Sequence, residues 1–341
     1  MNRLIISALI ILIAITSCTV YKEYPIDVYK PGPVKIDQRR QNVVLVYRDF
    51  KYTGDTLQHY YKSDYKLFKA KNDPKNIDSV MVMTCLNNFA KTLKTNANFN
   101  EIKIIPFNVF NPHSGGKLPN LDFDIVKKLT DATQSDLLIT LETFSYFYSK
   151  YSGNYESRGS EEVFTVAVWG VYDPEDEKLI ERKSMIDTLY WNPYDEQGNY
   201  QNGYKPPPRL TALKIASATA GEKYAKRFYA SWQTVDRMYS IPPLPDFSQA
   251  AAYFEEGKWD NAIVLWKKYA DDRNGKMAIN ARYNIALTYE IKDEIEVAIK
   301  WLNAARDLAV KMRSKKDLKQ VFEYQKKLIQ RKKEIDRLNQ E

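Results

Sequence analysis

The sequence predicts an α+β domain with a mixed sheet, followed by an all-α helical array, and three observations carry that expectation. Between residues 42 and 240, short runs rich in Val, Ile and Tyr alternate first with helical patterns and then with one another across polar turns, in the order β-α-β-α-β-β-β-α. The segment "MYSIPPLPDFSQ" then places three prolines in four positions and breaks the pattern. From residue 246 to 341, alanines, tryptophans and helical spacing take over, and two stretches there repeat one another. A chain of 341 residues is long enough for two cores.

The amino terminus comes first. Arg3 precedes Leu4 to Ile15, a mostly apolar run far short of the roughly twenty residues a spanning helix needs, so it reads as a secretory signal. Ile15-Thr16-Ser17-Cys18 closes it: a branched apolar residue, two small ones and one of only two cysteines. This quartet resembles the bacterial lipobox, in which the thiol receives diacylglycerol and the preceding peptide is removed. The resemblance implies a signal over residues 1–17, Cys18 as an acylated amino terminus and a covalent lipid as the only attached group. Several acyl chains give a stable membrane anchor. Thr19 stands where aspartate is the familiar signal for retention in the inner membrane, which points to the outer membrane of the cell envelope. The alternative is a plain secretory signal with a coincidental cysteine.

Residues 18–41, "CTVYKEYPIDVYKPGPVKIDQRRQ", hold three prolines and no helical period, and read as an extended tether. The first domain then opens on the compact strand Val43 to Tyr47. A polar, tyrosine-dotted loop runs to about Asp73, and Lys75 to Lys94 shows helical spacing through Ile77, Met81, Cys85 and Phe89. "EIKIIPF" is a second strand, and Leu121 to Thr130 a short helix. "DLLITLETFSYFYS", "EEVFTVAVWGVYD" and "KLIERKSMIDTLYW" are successive strands joined by polar turns. A helix from Pro208 to Tyr239, with Leu213, Ala216, Ala220, Tyr224, Phe228 and Val235 on one face, closes the domain.

"ATQSDLLITLETFSYF", a short helix running through a small-Asp pair into a hydrophobic strand, is similar to the amino-terminal domain of the Tol-system beta-propeller protein. It is also similar to the curli-secretion lipoproteins and the outer-membrane activators of penicillin-binding proteins. Those families often carry glycine where this chain has Leu141. The likeness implies an envelope adaptor domain with no catalytic role.

In the second region, Ala250, Tyr253, Gly257, Ala262 and Trp266 recur as Ala286, Tyr289, Asp293, Ala298 and Leu302, each 36 residues on. The pattern resembles the tetratricopeptide repeat, whose period is 34, with Asp293 in place of the customary glycine. Small residues let paired helices approach and large ones fill the gap between them. Leu318, Val321, Phe322, Leu328, Ile335 and Leu338 mark one more long helix, read as a cap. The resemblance puts Ala251, Phe254, Asn280, Tyr283 and Leu287 on the concave face where ligands of such repeats bind; a short array can equally pack that face against the first domain.

Chemistry is sparse. His59 and His113 have no metal-ligand spacing, and no Cys-x-x-Cys occurs. "HSGGK" lacks the first glycine of a phosphate loop, and "RGSEE" lacks the second glycine of a nucleophile elbow. With Cys18 acylated, Cys85 has no disulfide partner and suits a small buried position. Neither a catalytic site nor a metal is expected.

The net charge of +8 is modest, and the export signal argues against nucleic acid. From Lys311 onward eleven basic residues stand against five acidic ones, suited to a solvated helix or to an anionic membrane surface or acidic partner. Twenty-five tyrosines raise the expectation of a binding surface. The loop at residues 191–208, with Trp191, Tyr194, Tyr200 and Tyr204 among polar residues, is one candidate.

The whole chain resembles uncharacterised lipoproteins of Bacteroidota that join such a domain to tetratricopeptide repeats. The expectation is a membrane-anchored, non-enzymatic adaptor for an envelope protein. The alternative is a glycan- or peptidoglycan-binding module acting through the aromatic loop, with a hydrolase third.

Overall fold

A computed structural model describes residues 19–55, 57, 59–105, 109–152, 159–195 and 197–339. The proposed signal and Cys18 lie outside the described residues. In chain order the strands are β1 (Val20–Lys30), β2 (Asn42–Tyr47), β3 (Phe50–Tyr52), β4 (Tyr60–Ser63), β5 (Lys66–Lys69), β6 (Glu101–Ile104), β7 (His113–Gly115), β8 (Leu137–Tyr151), β9 (Ser160–Asp173), β10 (Lys178–Trp191) and β11 (Ser231–Ile241). The helices are α1 (Ile77–Asn96), α2 (Phe123–Thr133), α3 (Arg209–Ala225), α4 (Pro245–Glu255), α5 (Trp259–Lys267), α6 (Gly275–Ile291), α7 (Ile295–Lys311) and α8 (Lys315–Leu338). They divide into a sheet unit, Gly32–Ala230, and a helical unit that joins the residues up to Pro31 to those from Ser231 onward.

The sheet unit is mixed, as the sequence predicts. Its main sheet runs β10-β9-β8-β2-β6, with the β4–β5 hairpin attached to the far end of β8. Strand β2 lies parallel to β6 and β8, and its centre, Val43 to Val46, is buried throughout, the pattern of a strand covered on both faces. β8, β9 and β10 are long antiparallel partners.

One face carries α1 and α3. Ile77, Met81, Cys85 and Phe89 recur at four-residue steps along α1 and are buried. Trp169 of β9 stacks on Tyr224 of α3 at 4.5 Å between ring centroids. A large side chain taken fully out of water contributes roughly 1.5–3 kcal/mol. α1 and α3 touch backbone to backbone at Gly221, where a Cβ would stand 2.1 Å from the carbonyl oxygen of Cys85. Burial pushes the Cys85 thiol well above its ordinary range, so this cysteine is an inert core residue. On the other face the short α2, capped by Asp122 and ended by Gln134 in the left-handed region, packs Val126 against Val44, Leu138 and Tyr172.

Two expectations fail in the helical unit. The tether is a strand: β1 pairs antiparallel with β11 along all of its residues, Val20 opposite Ile241 and Lys30 opposite Ser231. The alternation of Ile26 and Val28, both buried, with exposed Asp27 is a period-two signal that the prolines obscured. Pro25, which has no N–H to donate, is tolerated on an edge strand of a two-stranded sheet. The helix expected over residues 208–239 ends at Ala225, and Ser231–Ile241 is β11, which turns Arg237 and Tyr239 inward. Residues 20–30 and 231–241 thus pack within the helical unit. There α4 to α8 follow one another, α4 packed on α5 and α6 on α7, with α8 against α7.

Candidate functional site

The concave face of the helices is not available. Ala251, Phe254, Asn280, Tyr283 and Leu287 are all buried, Phe254 and Leu287 completely. The ring of Phe254 meets Tyr24 of β1 at 4.5 Å and Tyr239 of β11 at 5.1 Å, while Tyr283 packs on Tyr324 of α8 at 4.9 Å. Polar groups fix the strands in place. The Ser240 amide donates to Asn284 Oδ1 at 2.9 Å, and Asn284 Nδ2 donates to the Ser240 carbonyl at 2.8 Å. Glu290, fully buried, accepts from the Arg237 guanidinium at 2.7 Å and from the Tyr324 hydroxyl at 2.6 Å. The expected ligand groove is therefore closed by the chain's own strands. Apolar residues on an inner helix face report burial, whichever element provides it.

Part of the aromatic loop is tied together. Tyr194 and Tyr200 form an isolated bridge with their rings edge to face at 6.0 Å. The carboxylate of Asp195 accepts from the backbone of Asn199 at 2.7 Å and of Gln197 at 3.0 Å, bonds that hold it below the usual carboxylate range. Trp191 turns toward the main core instead, and Tyr204 is half-buried. Two of the four aromatic residues thus come together.

Sequence reasoning missed a wider surface. β8 carries a bulge between Leu141 and Thr143, and it switches which residues point to which face. Before it Leu137, Ile139 and Leu141 join the core under α1 and α3; after it Phe144, Tyr146 and Tyr148 do. At the bulge Glu142 is fully buried, paired with Arg48, and accepts from the Tyr172 hydroxyl at 2.9 Å, with Arg182 3.5 Å away. Burial, then the charge of Glu142, raises the Tyr172 hydroxyl. A Cβ at Gly170 would stand 2.5 Å from Glu142 Oε1, so the glycine makes room for the carboxylate.

Beyond this knot Phe50 and Leu118 cover Val168, and past them the second face opens into a cleft. Ser145, Phe147, Ser149, Phe164, Val166 and Thr188 floor a cleft of about 530 Å³, rimmed by Tyr52, Asp55, Leu57 and Lys62. Ser145 donates to Asp55, Tyr151 donates to Glu162 at 2.9 Å, and the Lys62 ammonium sits 5.4 Å from the Tyr151 ring. Alongside, Ile186 and Tyr190 of β10 are each 67 % exposed, and among the described residues β10 pairs only with β9. The signal lay in the alternation Ile186, Thr188, Tyr190, which marks one face of a strand as apolar without saying whether anything covers it.

The cleft residues include no histidine or cysteine. His113 lies 5.8 Å from the Phe50 ring, and His59 is 3.6 Å from Asp78. Among the described residues no group of three or more His, Cys, Asp or Glu is placed to hold a metal. No described helix is long and apolar enough to cross a membrane. The cleft offers aromatic area, hydroxyls and two carboxylates.

None of the curated proteins compared matches the chain. Among solved structures, the PelC dodecamer from Paraburkholderia phytofirmans is 8 % identical, with a TM-score of 0.27, and the match covers 61 % of this chain and 99 % of that one. The hypothetical protein CT253 from Chlamydia trachomatis is 11 % identical, with a TM-score of 0.27 and coverage of 54 % and 98 %. Protein XCC0632 from Xanthomonas campestris is 8 % identical, with a TM-score of 0.21 and coverage of 58 % and 88 %. Residues 248–330 match a domain of unknown function, DUF6340. Residues 40–240, the greater part of the chain, match the domain of unknown function DUF8603, and it is to this family that the chain belongs.

Proposed function

We propose that this chain is a non-enzymatic lipoprotein of the cell envelope, acylated on Cys18, that holds a protein partner on the open half of its sheet. The single observation that carries the reading is the open cleft, flanked by Ile186 and Tyr190 and continuous with an edge of β10 that no described strand pairs. Contiguous exposed apolar surface on a folded protein marks a place of association. A free strand edge lets an extended partner segment add main-chain hydrogen bonds while its side chains enter the neighbouring cleft.

The lipobox-like quartet before Cys18 and the residue Thr19 support an anchor in the outer membrane. The 36-residue recurrence supports a tetratricopeptide-like array. Its inner face is filled by β1 and β11, so the array serves as a support and the partner is received elsewhere.

The test is a photo-reactive amino acid placed at Ile186 or Tyr190 in cells that make the full chain. Irradiation gives a discrete protein adduct at both positions, and Phe164→Lys, which puts a charge on the cleft floor, removes it. No adduct at either position overturns the reading. Co-sedimentation with purified cell wall, lost on Phe164→Lys, replaces the protein partner with a glycan.

A further inference from the structure

The outer face of α8 has a composition that neither the cleft nor the helix packing explains. Ser314 caps the helix by accepting from the Asp317 amide, and Val321, Tyr324, Leu328 and Arg331 turn inward and are buried. On the opposite side Lys315, Lys319, Phe322, Lys326, Ile329 and Lys333 recur at alternating steps of four and three, which places them along one stripe. All six are exposed, Phe322 at 48 % and Ile329 at 42 %. The Lys326 ammonium lies 4.6 Å from the Phe322 ring centroid. Glu323, 3.1 Å from Lys326, and Asp336 are the acidic groups along this flank.

The start of the folded chain runs beside this helix. Tyr324 of α8 and Arg237, which stands opposite Tyr24 of β1, share Glu290, and further along, Arg331 donates to the Tyr29 carbonyl. α8 and β1 therefore run in the same sense, and β1 begins at Val20, two residues after Cys18. With residues 20–30 built into the helical unit, no length of free tether separates the proposed anchor from α8.

We infer that the stripe Lys315–Lys319–Phe322–Lys326–Ile329–Lys333 is a membrane-facing surface that docks on anionic lipid headgroups. Lysines carry their charge to the headgroups on flexible apolar stems, while Phe322 and Ile329 reach the boundary of the acyl chains. A partner helix fits less well, because four of the six positions would force an ammonium into a seam that wants apolar residues. The inference rests on the acylation of Cys18 for its geometry, and a basic surface is the second signal that steadies a lipid anchor. Each lysine near an anionic surface shifts the docked population roughly fivefold, so three together shift it about a hundredfold.

The experiment uses the mature acylated protein carrying Phe322→Cys labelled with a polarity-sensitive fluorophore. Cys85 is buried and Cys18 acylated, so the label goes to residue 322 alone. The protein is reconstituted with phosphatidylcholine vesicles, or with the same vesicles containing phosphatidylglycerol. The expected result is flotation with both and an apolar shift of the fluorophore on the anionic vesicles only. Added salt, or Lys319→Gln with Lys326→Gln and Lys333→Gln, reverses the shift. A protein that floats with anionic vesicles while residue 322 stays in water overturns the inference. So does an apolar environment at residue 322 that is the same on phosphatidylcholine as on anionic vesicles and resists salt, since another protein surface then covers the stripe. Failure to float with phosphatidylcholine alone is a failure of the acylation reading instead, and the anionic arm, read on Cys18→Ser protein labelled only at residue 322, still decides the stripe.

Discussion

In the helical unit, α4 and α6 turn Phe254, Tyr283 and Leu287 inward, and β1, β11 and α8 bury them. In the sheet unit, β8, β9 and β10 present Phe147, Phe164 and Ile186 on a face that α2 covers only where Val44, Leu138 and Tyr172 lie. Both units hold a fully buried glutamate among arginine and tyrosine: Glu290 with Arg237 and Tyr324, and Glu142 with Arg48, Arg182 and Tyr172. Glu290 fastens strands over an apolar face. Glu142 sits at a bulge where covering stops. The contrast teaches that an inner helix face rich in apolar residues can be filled by the chain's own strands while open apolar area lies in the other unit.

The sharpest way to break that contrast is Glu290→Ala. It leaves the Arg237 guanidinium buried without its carboxylate, and losing one partner of a buried pair costs about 3–5 kcal/mol. Urea unfolding should show the helical unit melting at a much lower midpoint. Arg237→Met combined with Glu290→Leu should recover most of the loss, because an apolar pair of similar volume removes the stranded charge. An unchanged midpoint for Glu290→Ala would mean that aromatic packing alone closes the face.

Gly221→Val tests the sheet unit in the same way. The new side chain meets the Cys85 carbonyl across the α1–α3 contact, and overpacking of this kind costs about 1–3 kcal/mol. The expected outcome is faster reaction of Cys85 with a thiol reagent under native conditions, since α1 must move before the thiol is reached. Protection equal to wild type would show that the helices slide apart without opening the core. Amide exchange in α6 and α7 should stay unchanged, which separates a local effect in one core from a general loss of stability.

Much of this architecture was legible before any coordinates. The buried run Val43 to Val46, the four-residue spacing of Ile77, Met81, Cys85 and Phe89, and the three antiparallel strands each follow from a periodicity that local sequence carries. What was not legible depended on partners far apart in the chain. β1 and β11 pair across more than two hundred residues, and each alone reads as something else, one through its prolines and the other through helical neighbours. The cleft escaped for a related reason. Ile186, Thr188 and Tyr190 announce an apolar strand face, but whether α2 reaches far enough to cover it is set by where that helix ends.

The smallest effect separates the two ways β1 is held. Besides its ladder to β11, Lys22 reaches Glu255 of α4 at 2.9 Å, and Glu255 also accepts from the Tyr239 hydroxyl. The tyrosine bond first, then the lysine, hold the Glu255 carboxyl below its ordinary range. A carboxyl lowered in the folded state stabilises the fold above its unfolded value, about 4.3, and that stabilisation is lost as pH falls through the lowered folded value. The side chain is nearly half exposed, so solvent screens much of the interaction and the effect is slight. Hydrogen exchange of the β1 amides, corrected for intrinsic rates, should show protection in wild type that weakens as the pH drops from about 6 to about 3. Glu255→Gln should start less protected and change less over the same span. Identical pH dependence in the two proteins would assign the acid response of β1 to other carboxylates and leave the ladder with β11 as what holds the strand at its amino-terminal end.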